Sequence, residues 1–173
     1  MTSRRSFIKK SSLGLTNLIF LPRISFSKQK TTRITILHTN DMHSHIEPFK
    51  SGKYKGLGGM AKRATIIKKI RETNEHVLLF DAGDIFQGTP YFNFYGGELE
   101  FKLMSKMRYD GATLGNHDFD NGLKGLKTQL KYAKFPFIVS NYNFSNTILR
   151  NQFQPYKIFK KGPIRIGVIG VGI

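Results

Sequence analysis

The chain has 173 residues, of which 39% are hydrophobic, so it is long enough for one domain with a buried core. It contains no Cys, which excludes disulfide bonds and thiolate chemistry, and it has no apolar run of membrane-spanning length, so we expect no stable membrane anchor. The net charge of +17 comes from the two ends, since residues 1–30 and 121–173 contain no acidic side chain. Basic ends with interleaved aromatic residues also occur in nucleic-acid binders, but a solvated basic surface explains them more simply, and we expect no specific nucleic-acid partner.

The first 30 residues have the pattern of an export signal. Arg4 and Arg5 are followed by Phe7, and a short apolar stretch covers residues 13–21. This pattern predicts a twin-arginine-type signal peptide over residues 1–30, recognised by the twin-arginine export machinery and leading to the periplasm. The alternative is a basic amphipathic helix on the cytoplasmic side. In either case the globular domain is expected over residues 31–173.

Hydrophobic periodicity predicts alternating strands and helices in the rest of the chain. Strands are predicted at residues 33–39, 77–81, 111–114 and 137–140, and helices at 60–73, around 99–107 and around 123–133. The segment 82–97 is predicted to be a loop, and residues 156–160 and 164–169 form a predicted hairpin around Gly162 and Pro163. Strands that alternate with helices indicate an α/β fold with a mostly parallel sheet.

Potential metal ligands follow the first three predicted strands. Asp41 and His43 come after the first strand, Asp84 after the second and Asn116 after the third. Because ligands bind at the carboxyl ends of parallel strands, these side chains are expected to meet in one crevice. Carboxylate, imidazole and amide donors suit two divalent ions such as Zn, Mn, Mg or Ca, and such a pair serves phosphoester hydrolysis.

Other polar residues near these loops have separate predicted roles. His117 is predicted to act on the phosphate or the leaving group, with Asp120 three residues later holding its charged form. His45 is an alternative ligand, although a solvent-facing loop His is the simpler explanation. His38 lies within the first strand and is predicted to be a hydrogen-bonded core residue.

Three stretches together carry a family resemblance, namely residues 36–45 (ILHTNDMHSH), 81–90 (DAGDIFQGTP) and 113–120 (TLGNHDFD). They are similar to the bacterial 5′-nucleotidase family of calcineurin-like metallophosphatases. The resemblance implies a four-layer αββα catalytic domain with a dinuclear metal centre. It also implies that the four metal ligands are those proposed above, with Asp84 bridging the ions, and that His117 and Asp120 form a catalytic dyad. The usual family residue at position 118 is Glu, and Asp118 is expected to leave the metals undisturbed.

The resemblance also sets expectations about the extent of the domain. Members of the family continue with Gly-His and Gly-His-x-His segments and then with a domain that binds the nucleobase, whereas residues 121–173 contain no His, Asp, Glu or Cys. We therefore expect an N-terminal part of a metallophosphatase domain, incomplete at its C-terminus.

The function implied by the resemblance is hydrolysis of phosphate monoesters, with nucleotides as the expected substrates, by a hydroxide held between two divalent metals. Because part of the ligand set is absent, we expect little activity from these 173 residues alone. Within the same enzyme class, a cyclic-nucleotide phosphodiesterase or a thiosulfohydrolase is the alternative. Outside it, the alternative is a non-catalytic metal-binding or basic interaction remnant.

Overall fold

The computed structural model describes residues 31–172, and the predicted signal peptide lies outside this range. The elements belong to a compact unit that begins at Thr32. In chain order they are β1 (Thr35–Thr39), α1 (Met60–Thr73), β2 (Val77–Asp81), α2 (Pro90–Tyr95), α3 (Glu98–Lys106), β3 (Gly111–Ala112), a 3₁₀ turn (His117–Phe119), α4 (Gly122–Leu130), β4 (Tyr156–Lys161) and β5 (Ile164–Ile169). Within the described range, none of the helices has the length and apolar composition needed to cross a membrane.

The central sheet is parallel and has the order β1-β2-β3. β1 pairs with β2 along its whole length, up to Thr39 opposite Asp81, and Asp81 also pairs with Ala112 of β3. This confirms the predicted α/β class. The fourth predicted strand, at 137–140, is reduced to isolated parallel bridges. The Ile138 amide donates to the Ala112 carbonyl of β3 at 2.8 Å, whereas the amides of Val139 and Ser140 donate to the carbonyls of Gln154 and Gly170.

Helices cover one face of the sheet, and the hairpin covers part of the other. On the helical side, Ile67 of α1 belongs to the same buried cluster as Leu79 of β2. On the opposite side, the ring of Phe159 in β4 contacts Phe80 of β2 at 5.3 Å between centroids. The antiparallel pairing of β4 with β5 confirms the predicted hairpin.

The prediction that His38 is a core residue is wrong. His38 pairs in register with Phe80, so its side chain projects from the hairpin side of the sheet, where it is exposed together with Ile36. Side chains alternate along a strand, and the hairpin does not cover this side of β1. β1 is therefore a half-exposed strand.

The predicted loop over residues 82–97 contains the short helix α2, so this prediction is wrong for that part. Pro90 starts the helix, where its missing N–H costs nothing, and Gly96 ends it with φ at 61°. Phe92 is buried and its ring lies 5.3 Å from that of Phe86. Phe86 in turn contacts Phe101 of α3 at 4.7 Å, so aromatic packing fixes the segment that follows the loop after β2.

Candidate metal centre

The loops after β1 and β2 run side by side at the carboxyl edge of the sheet. The amide of Asp41 donates to the Gly83 carbonyl at 3.0 Å, and the amide of His43 donates to the Asp84 carbonyl at 3.0 Å. Close approach at this point needs glycine, since a Cβ on Gly83 would lie 2.5 Å from the backbone nitrogen of Gly115 in the loop after β3. The three strand ends thus meet in one crevice, as predicted.

Three of the predicted metal ligands come together in this crevice. One ligand atom each of Asp41, His43 and Asp84 lies within 4.8 Å of the others, and His43 Nε2 is 3.8 Å from Asp41 Oδ1. Two carboxylate oxygens and one imidazole nitrogen at this spacing fit a divalent ion. His45 is outside this group, because its Nδ1 donates to the His43 carbonyl and its ring lies 4.6 Å from that of Phe49.

Asn116, the fourth predicted ligand, is exposed and lies at the end of the loop after β3. The amide of the next residue, His117, donates to Asp84 Oδ1 at 2.9 Å, so the backbone at Asn116 is held against the crevice. The assignment of Asn116 to a second ion stays a prediction.

His117 and Asp120, which are predicted to act together, are hydrogen bonded, and their catalytic role stays a prediction. His117 Nδ1 lies 2.9 Å from Asp120 Oδ2, and this hydrogen bond raises the pKa of His117 above its ordinary value. The His117 ring meets that of His43 edge-on, with centroids 5.2 Å apart. The His117 imidazole is therefore held beside the ligand cluster with a pKa shifted toward its charged form, in which it can donate to an anionic group.

Sequence reasoning did not predict the role of Asp118, which is 1% exposed. Its Oδ2 accepts from the amides of Asp84 and Gly115 at 3.1 and 2.9 Å, and its Oδ1 accepts from those of Ile85 and Phe86 at 3.0 and 3.1 Å. Burial raises the pKa of Asp118 to about 6, against the opposing effect of the amides of Gly115, Phe86 and Ile85. Asp118 thus joins the second loop to the third.

Asp81 is a second buried acid that sequence reasoning did not single out. It ends the apolar strand β2, accepts from the Thr39 hydroxyl at 2.6 Å and from the Gly83 amide at 2.9 Å, and is 3% exposed. Burial raises the pKa of Asp81 to about 7. The sequence signal for a buried acid here was its position at the end of a run of apolar residues. In the structure, Asp81 links the ends of β1 and β2 below the crevice.

The ligand loops contain backbone conformations that side chains rarely adopt. Asp41, His43, Ser44 and Asp84 all have positive φ, at 49°, 44°, 56° and 54°. Such residues cost about 1–3 kcal/mol each and persist only where surrounding contacts determine them. In this crevice the unusual turns direct Asp41, His43 and Asp84 toward one point.

The crevice combines carboxylate and imidazole side chains at adjacent strand ends of a parallel sheet with a neighbouring His–Asp pair. This combination is typical of metal-dependent hydrolases. The family comparison is more specific. The chain belongs to the calcineurin-like phosphoesterase family, whose model matches residues 34–168.

Known relatives share the fold as well as the sequence. The snake venom 5′-nucleotidase of Crotalus adamanteus is 47% identical over 146 residues, which cover 79% of this chain and 25% of that protein. The crystal structure of a 5′-nucleotidase precursor from Thermus thermophilus matches with a TM-score of 0.74 and 38% identity, over 80% of this chain and 28% of the other. The NAD nucleotidase of Haemophilus influenzae matches with a TM-score of 0.74 and 33% identity, over 80% and 26% of the two chains. The chain thus spans about a quarter of the length of the relatives it matches.

Proposed function

We propose that the protein hydrolyses phosphate monoesters of nucleotides with the help of two divalent metal ions. The observation that carries this proposal is the cluster of Asp41, His43 and Asp84 beside His117 at the carboxyl edge of the sheet. Family membership supports the phosphoester class, and relatives named 5′-nucleotidase and NAD nucleotidase support nucleotides as substrates.

Each residue in the crevice has a defined part in this proposal. Asp41 and His43 would hold one ion, Asp84 would contact both, and Asn116 would be a ligand of the second. When bound, such ions lower the pKa of a coordinated water and polarise phosphoryl oxygens. His117, whose charged form is favoured by the hydrogen bond to Asp120, would donate a hydrogen bond to the phosphate or to the leaving group.

Metal binding is the first test. In a calorimetric titration with Mn²⁺, we expect the Asp84→Ala variant to lose at least about tenfold in affinity, because both ions lose a ligand. Glu75→Ala is the matched control, since the Glu75 side chain is 88% exposed and lies outside the ligand cluster. Equal affinities for the wild type and Asp84→Ala would refute the metal centre.

Turnover is the second test. We propose that the 173-residue chain alone releases phosphate from adenosine monophosphate slowly, because residues 121–173 offer no further His, Asp, Glu or Cys to two ions. Phosphate release in the presence of Mn²⁺ would be compared with that of an intact 5′-nucleotidase. Comparable rates would contradict the incomplete ligand set, although not the reaction itself.

We further propose that residues 1–30 direct export to the periplasm by the twin-arginine route. The Arg4-Arg5 pattern supports this route. Fused to a folded reporter protein, residues 1–30 should deliver it to the periplasm. Replacing both Arg4 and Arg5 by Lys keeps the charge and should block delivery, and unchanged delivery would contradict this route.

A further inference from the structure

A buried polar cluster lies directly behind the first metal-binding loop and has no part in the function proposed above. We call it the Ser44 anchor, and it consists of Ser44, Thr89 and Glu100. Ser44 and Glu100 are both fully buried, and the Ser44 hydroxyl donates to Glu100 Oε1. The Thr89 hydroxyl donates to the Ser44 carbonyl at 2.7 Å. Elements far apart in sequence therefore converge on one small residue.

The carboxyl group of Glu100 is costly where it lies. Its Oε2 is buried and has no hydrogen-bond partner within the part of the chain that the structure describes. Burial raises the pKa of Glu100 above its ordinary value. Burying a polar group without a partner destabilises a fold, and an apolar side chain of similar size would avoid this cost. The position of Glu100 is thus poorly explained by packing alone.

The geometry of Ser44 indicates what the carboxylate does. Ser44 and the preceding residue, His43, both have left-handed backbone conformations, with φ at 56° and 44°. Ser44 is held at three points, because its amide also donates to the Ile85 carbonyl at 2.9 Å. A change of conformation at Ser44 would redirect the adjacent His43 side chain. The bond to Glu100 fixes the side-chain end of this residue.

We propose that Glu100 is a positioning residue for His43, which it holds in ligand geometry through Ser44. The proposal rests on the proposed function, in which His43 is a metal ligand. Glu100 itself lies outside the ligand cluster of Asp41, His43 and Asp84. Its hydrogen bond restricts the conformations of the strained 41–44 loop before an ion binds, so that ion binding costs less conformational entropy.

The test is Mn²⁺ binding to the purified 173-residue chain, followed by calorimetry and by the electron paramagnetic resonance spectrum of the bound ion. Glu100→Ala should weaken binding about tenfold to a hundredfold, as is typical when the support of a ligand is removed. Glu100→Gln retains an oxygen that can accept from Ser44 and should bind within about threefold of the wild type. Glu98→Ala, on the same helix but in an exposed ion pair with Lys102, is the matched control.

Thermal unfolding of the metal-free proteins separates positioning from a general loss of stability. Where Glu100→Ala does not fold, Ser44→Ala removes only the hydroxyl and should show the same loss of affinity and an altered spectrum. The proposal is overturned if folded variants that lack this bond bind Mn²⁺ like the wild type, whatever their melting temperatures. It is also overturned if Gln and Ala at position 100 lose affinity equally, since charge rather than the bond would then be responsible. If the wild type itself binds no Mn²⁺, the proposed function fails first and this inference fails with it.

Discussion

Replacement of Asp118 by Asn should destabilise the metal-free fold strongly. The carboxylate accepts four backbone N–H bonds, two on each oxygen, from Asp84, Gly115, Ile85 and Phe86. An Asn side chain has one oxygen for two of these donors, and its NH₂ group faces the other two. Each lost bond to a charged group costs about 1.5–3 kcal/mol, so losing two lowers the free energy of unfolding by ~3–6 kcal/mol. Part of this loss is offset because the desolvated charge, visible in the raised pKa of Asp118, is removed as well.

The assay is urea unfolding followed by far-ultraviolet circular dichroism, because the chain has no Trp to serve as a fluorescence probe. The measurement belongs at about pH 8, above the Asp118 pKa of about 6, where the carboxylate is ionised. Glu72→Gln is the control, since it breaks only an exposed ion pair with Lys68 and should change stability by less than about 0.5 kcal/mol. If Asp118→Asn falls within the same range as this control, the argument that Asp118 joins the loops is refuted.

Three further predictions follow from individual contacts. Asp120→Asn should lower the pKa of His117 in a titration followed by proton NMR, because the bond that raises it is weakened; an unchanged titration would contradict the pairing. Asp81→Asn should gain in stability relative to the wild type as pH rises from about 4 to about 8. Burial raises the pKa of Asp81 in the folded wild type from 3.8 to about 7, so the wild type loses stability as pH rises through this window, by at most ~4 kcal/mol. The Asn variant does not ionise and avoids this loss; a pH-independent difference would refute the reasoning. Gly88→Ala should lower the melting temperature more than Gly52→Ala, since both have positive φ but only a Cβ at Gly88 meets a carbonyl, at 2.8 Å; equal losses would argue against crowding.

The order of strands and the convergence of the loops could be predicted from sequence because they follow from local patterns. Runs of apolar residues predicted β1 and β2. Asp41 and Asp84 come just after these strands, which predicted that the two carboxylates lie at the same edge of the sheet. The exposure of His38 could not be predicted in this way. It depends on how far the hairpin covers the other face of the sheet, which is a property of tertiary packing.

Residues that support the site were harder to predict than residues that form it. A carboxylate that binds metal or substrate belongs to a short motif, whereas Glu100 lies 56 positions from its partner Ser44. Asp118 does lie in a motif, but its four bonds reach backbone amides, which have no sequence signature. Only the folded backbone shows which amides converge on it.

Among the buried acids, Asp118 and Glu100 have complementary effects on the crevice. Asp118 takes up the amides of the second and third loops, while Glu100 holds the first loop through the hydroxyl of Ser44. Asp118 and Glu100 accept the hydrogen bonds that hold the loops together. The ligand atoms of Asp41 and His43 can therefore point into the cluster, where they lie within 4.8 Å of a ligand atom of Asp84. Loops with several positive-φ residues would otherwise relax to commoner conformations and disperse the ligands. We therefore expect loss of either acid to weaken metal binding, and loss of Asp118 also to lower the stability of the metal-free fold.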